Sequence, residues 1–175
     1  MTSLLSIPHR LDRRSAVCRA IIETPKGSRT KYDYDPESSM FLLDKVLPAG
    51  MSFPLDFGFI PSTKAEDGDP LDILVLHDEP IPAGILLETR LIGAIIGEQS
   101  EEDGRTIRND RLIGVSMASS LYRHISEAEQ LGAAYLEQLV CFWVNYNELR
   151  GRNFTSKGVK GPPEAVALVE KASLF

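Results

Sequence analysis

Three aspartates, Asp67, Asp69 and Asp72, crowd into the short run DGDPLD, and the apolar stretch ILVL follows directly. Carboxylates this close repel one another, and that repulsion disfavours their charged forms. A bound cation resolves the conflict, and carboxylate ligation selects hard ions such as Mg2+, Mn2+ or Ca2+ over zinc or copper. In an extended chain Asp67 and Asp69 face one side and Asp72 the other. Gly68 and Pro70 are placed to bend the backbone and gather all three at one mouth. An acidic surface turn is the plain alternative. A calcium EF-hand is excluded, because its sixth position must be glycine; here that position is Asp72, and a strand follows in place of a helix.

Cations suited to an anionic ligand stand upstream. SRTKYDYD (28–35) and LLDKV (42–46) each carry a lysine, Lys31 and Lys45, beside an acid on a predicted strand. Either alone reads as a solvated strand face. Together with a hard-metal cluster they suit a phosphorylated anion held between lysines and metal ions. His9, His77 and His124 are scattered and belong to no motif.

The elements that must position these residues are mainly β. The strand candidates are AVCRAIIE (16–23), MFLLDKVL (40–47), DILVL (72–76), LLETRLIGAII (86–96) and RLIGV (111–115), separated by segments rich in turn formers. This pattern predicts a small barrel or sandwich. Ser126 with Glu129 forms a capping-box pattern at the start of EAEQLGAAYLEQLVCFWVNYNELR. Leu131, Tyr135, Leu136, Leu139, Val140 and Trp143 recur there at helical spacing and predict one face packed on the sheet. A shorter helix is expected in GPPEAVALVEKA, with proline in its first turn.

At 175 residues the chain suits a single domain, 1–175, with residues 1–15 as an N-terminal extension. Its net charge of −6 argues against nucleic acid as a partner, which calls for a basic face. No apolar run is long enough to span a bilayer, so no membrane partner is expected. The arginines of MTSLLSIPHRLDRR follow a very short apolar patch, the wrong order for a secretory leader. Cys18 and Cys141 have no CxxC partner and read as free thiols, which makes a cytoplasmic location the expectation.

The motifs together resemble the soluble family I inorganic pyrophosphatases. Their D-G-D-P-x-D signature is complete at Asp67 to Asp72, and AIIETPKG, TKYDYD, FPLDFGFIP and VNYNEL accompany it in the family's order. The resemblance implies a five-stranded OB-like β-barrel flanked by helices. It implies hydrolysis of diphosphate to two orthophosphates with Mg2+, or with Mn2+, and a homo-oligomer, hexameric in many bacterial relatives. It implies Asp67 and Asp72 as metal ligands, with Glu23 on the opposite wall and Asp69 receiving the proton of the attacking water. Lys31, Lys45 and Tyr146 fall at phosphate-binding positions.

Several positions depart from the family pattern. Asp33 stands for glutamate, Lys45 for arginine, Phe57 for a phosphate-binding tyrosine and Asn147 for lysine. Asn109 and Arg111 occupy the places of a D-x-K pair. Asn109 there offers a metal an oxygen without a charge, and Arg111 offers phosphate a guanidinium. Asp110 is adjacent to Asn109 but points to the opposite face of a strand. Asp103 is the candidate for the acid that precedes the pair. These losses leave an alternative function, a catalytically weakened pyrophosphatase-like protein that binds metal and a phosphorylated ligand.

Overall fold

The computed structural model describes residues 3–175. Strands β1 (Val17–Thr24), β4 (Asp56–Ile60), β5 (Leu71–Leu76), β8 (Arg111–Ser116) and β6 (Leu86–Ser100) follow one another around a sheet, and β1 pairs again with β6. The sheet thereby closes into the five-stranded ring that the resemblance implied. Only β5 and β8 run parallel; the other pairs are antiparallel. The outer end of β6 extends beyond the ring and carries β7 (Thr106–Arg108) and β9 (Phe154–Lys160). Strands β2 (Thr30–Asp35) and β3 (Met40–Val46) form a separate two-stranded hairpin.

Strand alternation divides the core in two. On β5, Leu71, Ile73 and Val75 pack with Leu112 and with Ala165, Leu168 and Val169 of helix α2 (Pro162–Ala172). Leu74 and Leu76 turn the other way, joining Phe53, Phe57 and Ile113 beneath helix α1 (Ala133–Glu148). Fully burying an aliphatic or aromatic side chain contributes about 1.5–3 kcal/mol, so both helices are held by their apolar faces rather than by helix propensity. Side chains two apart on a strand share a face. Asp72 therefore lies on the α1 side with Leu74, and Arg111 lies there with Ile113.

Three strands escaped the sequence reading. Strand β4 hides because Gly58 interrupts it, yet a Cβ at Gly58 would lie 1.9 Å from the Ile21 carbonyl oxygen, so only glycine permits β1 and β4 to pair there. Strands β7 and β9 are short or mostly exposed, and neither has a full apolar face.

The helix start also differs from expectation. The capping box is Glu127 with Gln130, whose side-chain oxygen accepts from the Glu127 amide at 2.9 Å. It closes only a 3-10 turn at Ala128–Leu131; Gly132, at φ 86°, then breaks the path before α1 begins. The N-terminal segment is no loose arm. Leu4, Leu5 and Ile7 pack against Ile21, Tyr34 and Phe59, and the Leu5 carbonyl accepts from the Ser62 amide at 2.7 Å.

Candidate active site

A cleft of about 700 Å3 opens on the α1 side of the barrel. Its floor is set by register. Asp72 on β5 and Arg111 on β8 are directly paired in the parallel ladder, and Arg111 Nη1 lies 2.9 Å from Asp72 Oδ2. Asp67 and Asp69 enter from the turn before β5. Gly68 there takes φ 94°, a conformation that favours glycine, and the Asp69 amide donates to Asp67 Oδ1 at 3.1 Å. All three aspartates line the cleft, as the bend at Gly68 and Pro70 was expected to allow.

The hairpin supplies the opposite wall. Lys31 and Lys45 are register partners across β2 and β3, which sets two ammonium groups side by side. Lys31 is hydrogen-bonded to Asp33 and lies 3.5 Å from Asp44 Oδ2; Lys45 lies 3.1 Å from the same oxygen. Burial alone would lower the Lys31 pKa. Tyr146, Asp33 and Asp44 outweigh it and hold the group above its ordinary value, fully charged.

Helix α1 roofs the site with Trp143 and Tyr146. The Trp143 ring packs on Phe57 at 5.3 Å between centroids and lies 4.5 Å from the Arg111 guanidinium carbon. Tyr146 is buried, with Lys45 5.7 Å from its ring centre, and burial raises its pKa, so it stays a donor. Its hydroxyl has no hydrogen-bond partner among the described residues. A buried, unpaired hydroxyl is costly, and a ligand oxygen in the cleft would satisfy it.

Glu23 closes the back of the site from β1. Its Oε1 accepts from the Tyr34 amide at 2.8 Å. Burial pushes its carboxyl up to about 8, with Asp33 and Asp72 adding to the effect, and burial pushes Asp72 up to about 6 against the pull of Arg111. Burial thus disfavours the charged form of both acids, even though Arg111 stands beside Asp72. Among the described residues no three carboxylate, imidazole or thiolate groups converge to enclose an ion by themselves. The donor set instead fits a hard cation such as Mg2+, which binds through one or two carboxylates and keeps waters and substrate oxygens as its other ligands.

Other expected site residues lie elsewhere or do other work. Asp103 sits in the exposed turn between β6 and β7, bonded to Arg105 Nε at 2.5 Å, and does not line the cleft. Asn109 lines the cleft, but its oxygen accepts from Arg111 and its amide donates to Gln99 Oε1 at 3.1 Å. Asp110 faces away, bonded to the Gly97 amide at 3.1 Å and to Arg108 Nε at 2.6 Å. Asn147 is not a cleft position. It is fully buried, with Nδ2 donating to the Trp143 carbonyl at 2.8 Å. Phe57 is a buried packing residue under Trp143 and has no polar atom to offer a ligand.

The sequence reading missed Gln99, Glu101, Arg150 and Arg152, which also line the cleft. Arg150 follows Tyr146 by four residues, in the turn just beyond the end of α1. The guanidinium lies 5.8 Å from the Tyr146 ring centre. Gln99 had no local signal, because its place depends on the β6–β7 register, Gln99 opposite Ile107.

Known proteins share both the sequence and the geometry. The profile of the family described as inorganic pyrophosphatase matches residues 20–174. An inorganic pyrophosphatase of Thermus thermophilus is 35% identical over 171 residues, covering 98% of this chain and 94% of its own length. One from Geobacillus stearothermophilus is 34% identical, covering 89% of this chain and 91% of its own length. The crystal structure of the T. thermophilus inorganic pyrophosphatase superposes with a TM-score of 0.87, covering 98% of this chain and 97% of that one. The barrel and the matched sequence identify this chain as a member of the inorganic pyrophosphatase family.

Proposed function

We propose that the protein hydrolyses inorganic diphosphate to two orthophosphates with Mg2+, and that Mn2+ substitutes for it. One observation carries the reading: three aspartates face Lys31, Lys45 and the unpaired Tyr146 hydroxyl across a single cleft. Asp67 and Asp72, with Glu23 behind them, would hold divalent ions. The ions, when bound, acidify a water and offset charge on the leaving phosphate. Asp69 takes the proton of the attacking water as its oxygen bonds to phosphorus and the bridging P–O bond breaks. A positioned general base contributes roughly 10²- to 10⁴-fold. Lys31, Lys45, Tyr146 and Arg111 orient the phosphoryl oxygens, work suited to fixed charge and hydrogen-bond donors.

The neutral side chains of Gln99 and Asn109 favour a second reading, a weakened enzyme that chiefly binds metal and a phosphorylated ligand. Phosphate release from diphosphate, with Mg2+, with Mn2+ and with chelator, separates the two. Metal-dependent release that falls by about 10² or more in Asp69→Asn supports the hydrolase. Release no greater than that of the variant, from a folded protein, leaves the binder. We also propose a homo-oligomer. Met40, Leu42, Leu43 and Val46, all exposed on β3, are its contact surface.

A further inference from the structure

We infer that the β6–β8 wall of the cleft excludes a divalent ion and supplies positive charge itself, through an Arg111 guanidinium held by Asn109, Gln99 and Asp72. The inference rests on the proposed reading of the cleft as a site for metal and phosphate. Gln99, Asn109 and Arg111 are 3%, 6% and 4% exposed, so their polar atoms must be satisfied within the protein or by a ligand.

The bonding runs as a chain along the wall. Gln99 Nε2 donates to Glu101 Oε1 at 3.0 Å, Asn109 Nδ2 donates to Gln99 Oε1 at 3.1 Å, and Arg111 Nη1 donates to Asn109 Oδ1. Both amide oxygens therefore already accept hydrogen bonds, and neither carries charge. A hard divalent ion needs anionic or free oxygen donors. Glu101 is also engaged, with its Oε2 3.3 Å from Arg152 Nη2. An ion placed against Asn109 would meet the positive guanidinium with no uncommitted carboxylate on that wall to offset the repulsion.

The same chain makes Arg111 rigid. Asn109 and Asp72 fix one edge of the guanidinium, and the Trp143 ring covers its face at 4.5 Å. Its Nε is buried with no partner among the described residues, a donor left over for a ligand oxygen. A planar, permanently charged fork gives phosphate fixed donors in a way that a lysine cannot. Asn109 and Gln99 are thus positioning residues for Arg111, and the metal count of the cleft is set on the Asp67, Asp72 and Glu23 side.

The test is the number of Mn2+ ions bound per chain, read by electron paramagnetic resonance titration without diphosphate. Asn109→Ala is expected to bind as many ions as the native protein. Gln99→Glu with Asn109→Asp, which turns the wall acidic, is expected to bind one ion more. If Asn109→Ala loses an ion, the amide is a ligand and the inference is overturned. No gain in the acidic variant, with its melting curve intact, overturns it as well. Should that variant fail to fold, Asn109→Asp alone carries the same expectation of a gain. Because no diphosphate is present, failure of the proposed reaction would appear in phosphate release and not in this count.

Discussion

At the scale of single residues, Glu23 is the acid most strained by its surroundings. Its carboxyl is raised from 4.5 to about 8, chiefly by burial. The folded state therefore holds that proton more tightly than the unfolded chain does. Stability from this group is complete below about pH 4.5 and is lost as pH rises through about 8. In chelator, the native protein is expected to melt lower at pH 9 than at pH 6, and Glu23→Gln to flatten that difference. A Glu23→Gln variant with the native slope would refute the assignment. Tyr146 is the complementary donor. Tyr146→Phe removes a hydrogen bond to an anionic phosphate oxygen, worth about 1.5–3 kcal/mol, so the KM for diphosphate is expected to rise roughly 10- to 10²-fold while the melting temperature holds or rises. An unchanged KM would place phosphate away from the ring.

At the scale of elements, a residue's type was more legible in the sequence than its direction. The aspartates of the β5 turn carried their own evidence, because Gly68 and Pro70 announce the bend beside them. Lys31 and Lys45 were visible as strand lysines, although their alignment across β2 and β3 depends on register. Asn147 misled for a related reason. Its neighbour Tyr146 lines the cleft, but adjacent helical residues point about 100° apart, and the Asn147 side chain turns into the core. Asn147→Lys is therefore expected to destabilise the fold by about 3 kcal/mol or more, through overpacking and burial of an unpaired charge, with no gain in phosphate release. A faster enzyme of native melting temperature would contradict that. Asn109 and Arg111 were legible as the places of the D-x-K pair, but Gln99 and the bonding that joins the three were not, since β6 and β8 meet only after the ring closes.

At the scale of the whole molecule, the two-sided core explains why the site lies under α1. Both helices cover apolar faces of the ring, but Asp72 and Arg111 share strand faces with residues beneath α1, so the polar cleft forms at the margin of that cluster. The apolar stripe of α1 is used up on its own barrel. Strand β3 gathers four exposed apolar side chains in one short element, with Leu43 63% and Met40 62% exposed. Leu43→Glu is expected to reduce the apparent mass in light scattering if β3 joins copies of the chain; an unchanged mass would remove β3 from the contact.

The separateness of the β2–β3 ladder has a kinetic consequence. Its amide hydrogens bond within a two-stranded sheet that contributes no rung to the closed ring. The hairpin can open without breaking the barrel, so deuterium should enter residues 30–46 sooner than it enters β5 or β8. A phosphorylated ligand gripped by Lys31 and Lys45 and anchored through metal to Asp67 and Asp72 would tie the two sheets together. Protection of the hairpin amides should then rise with ligand occupancy, a record of binding written in exchange rates.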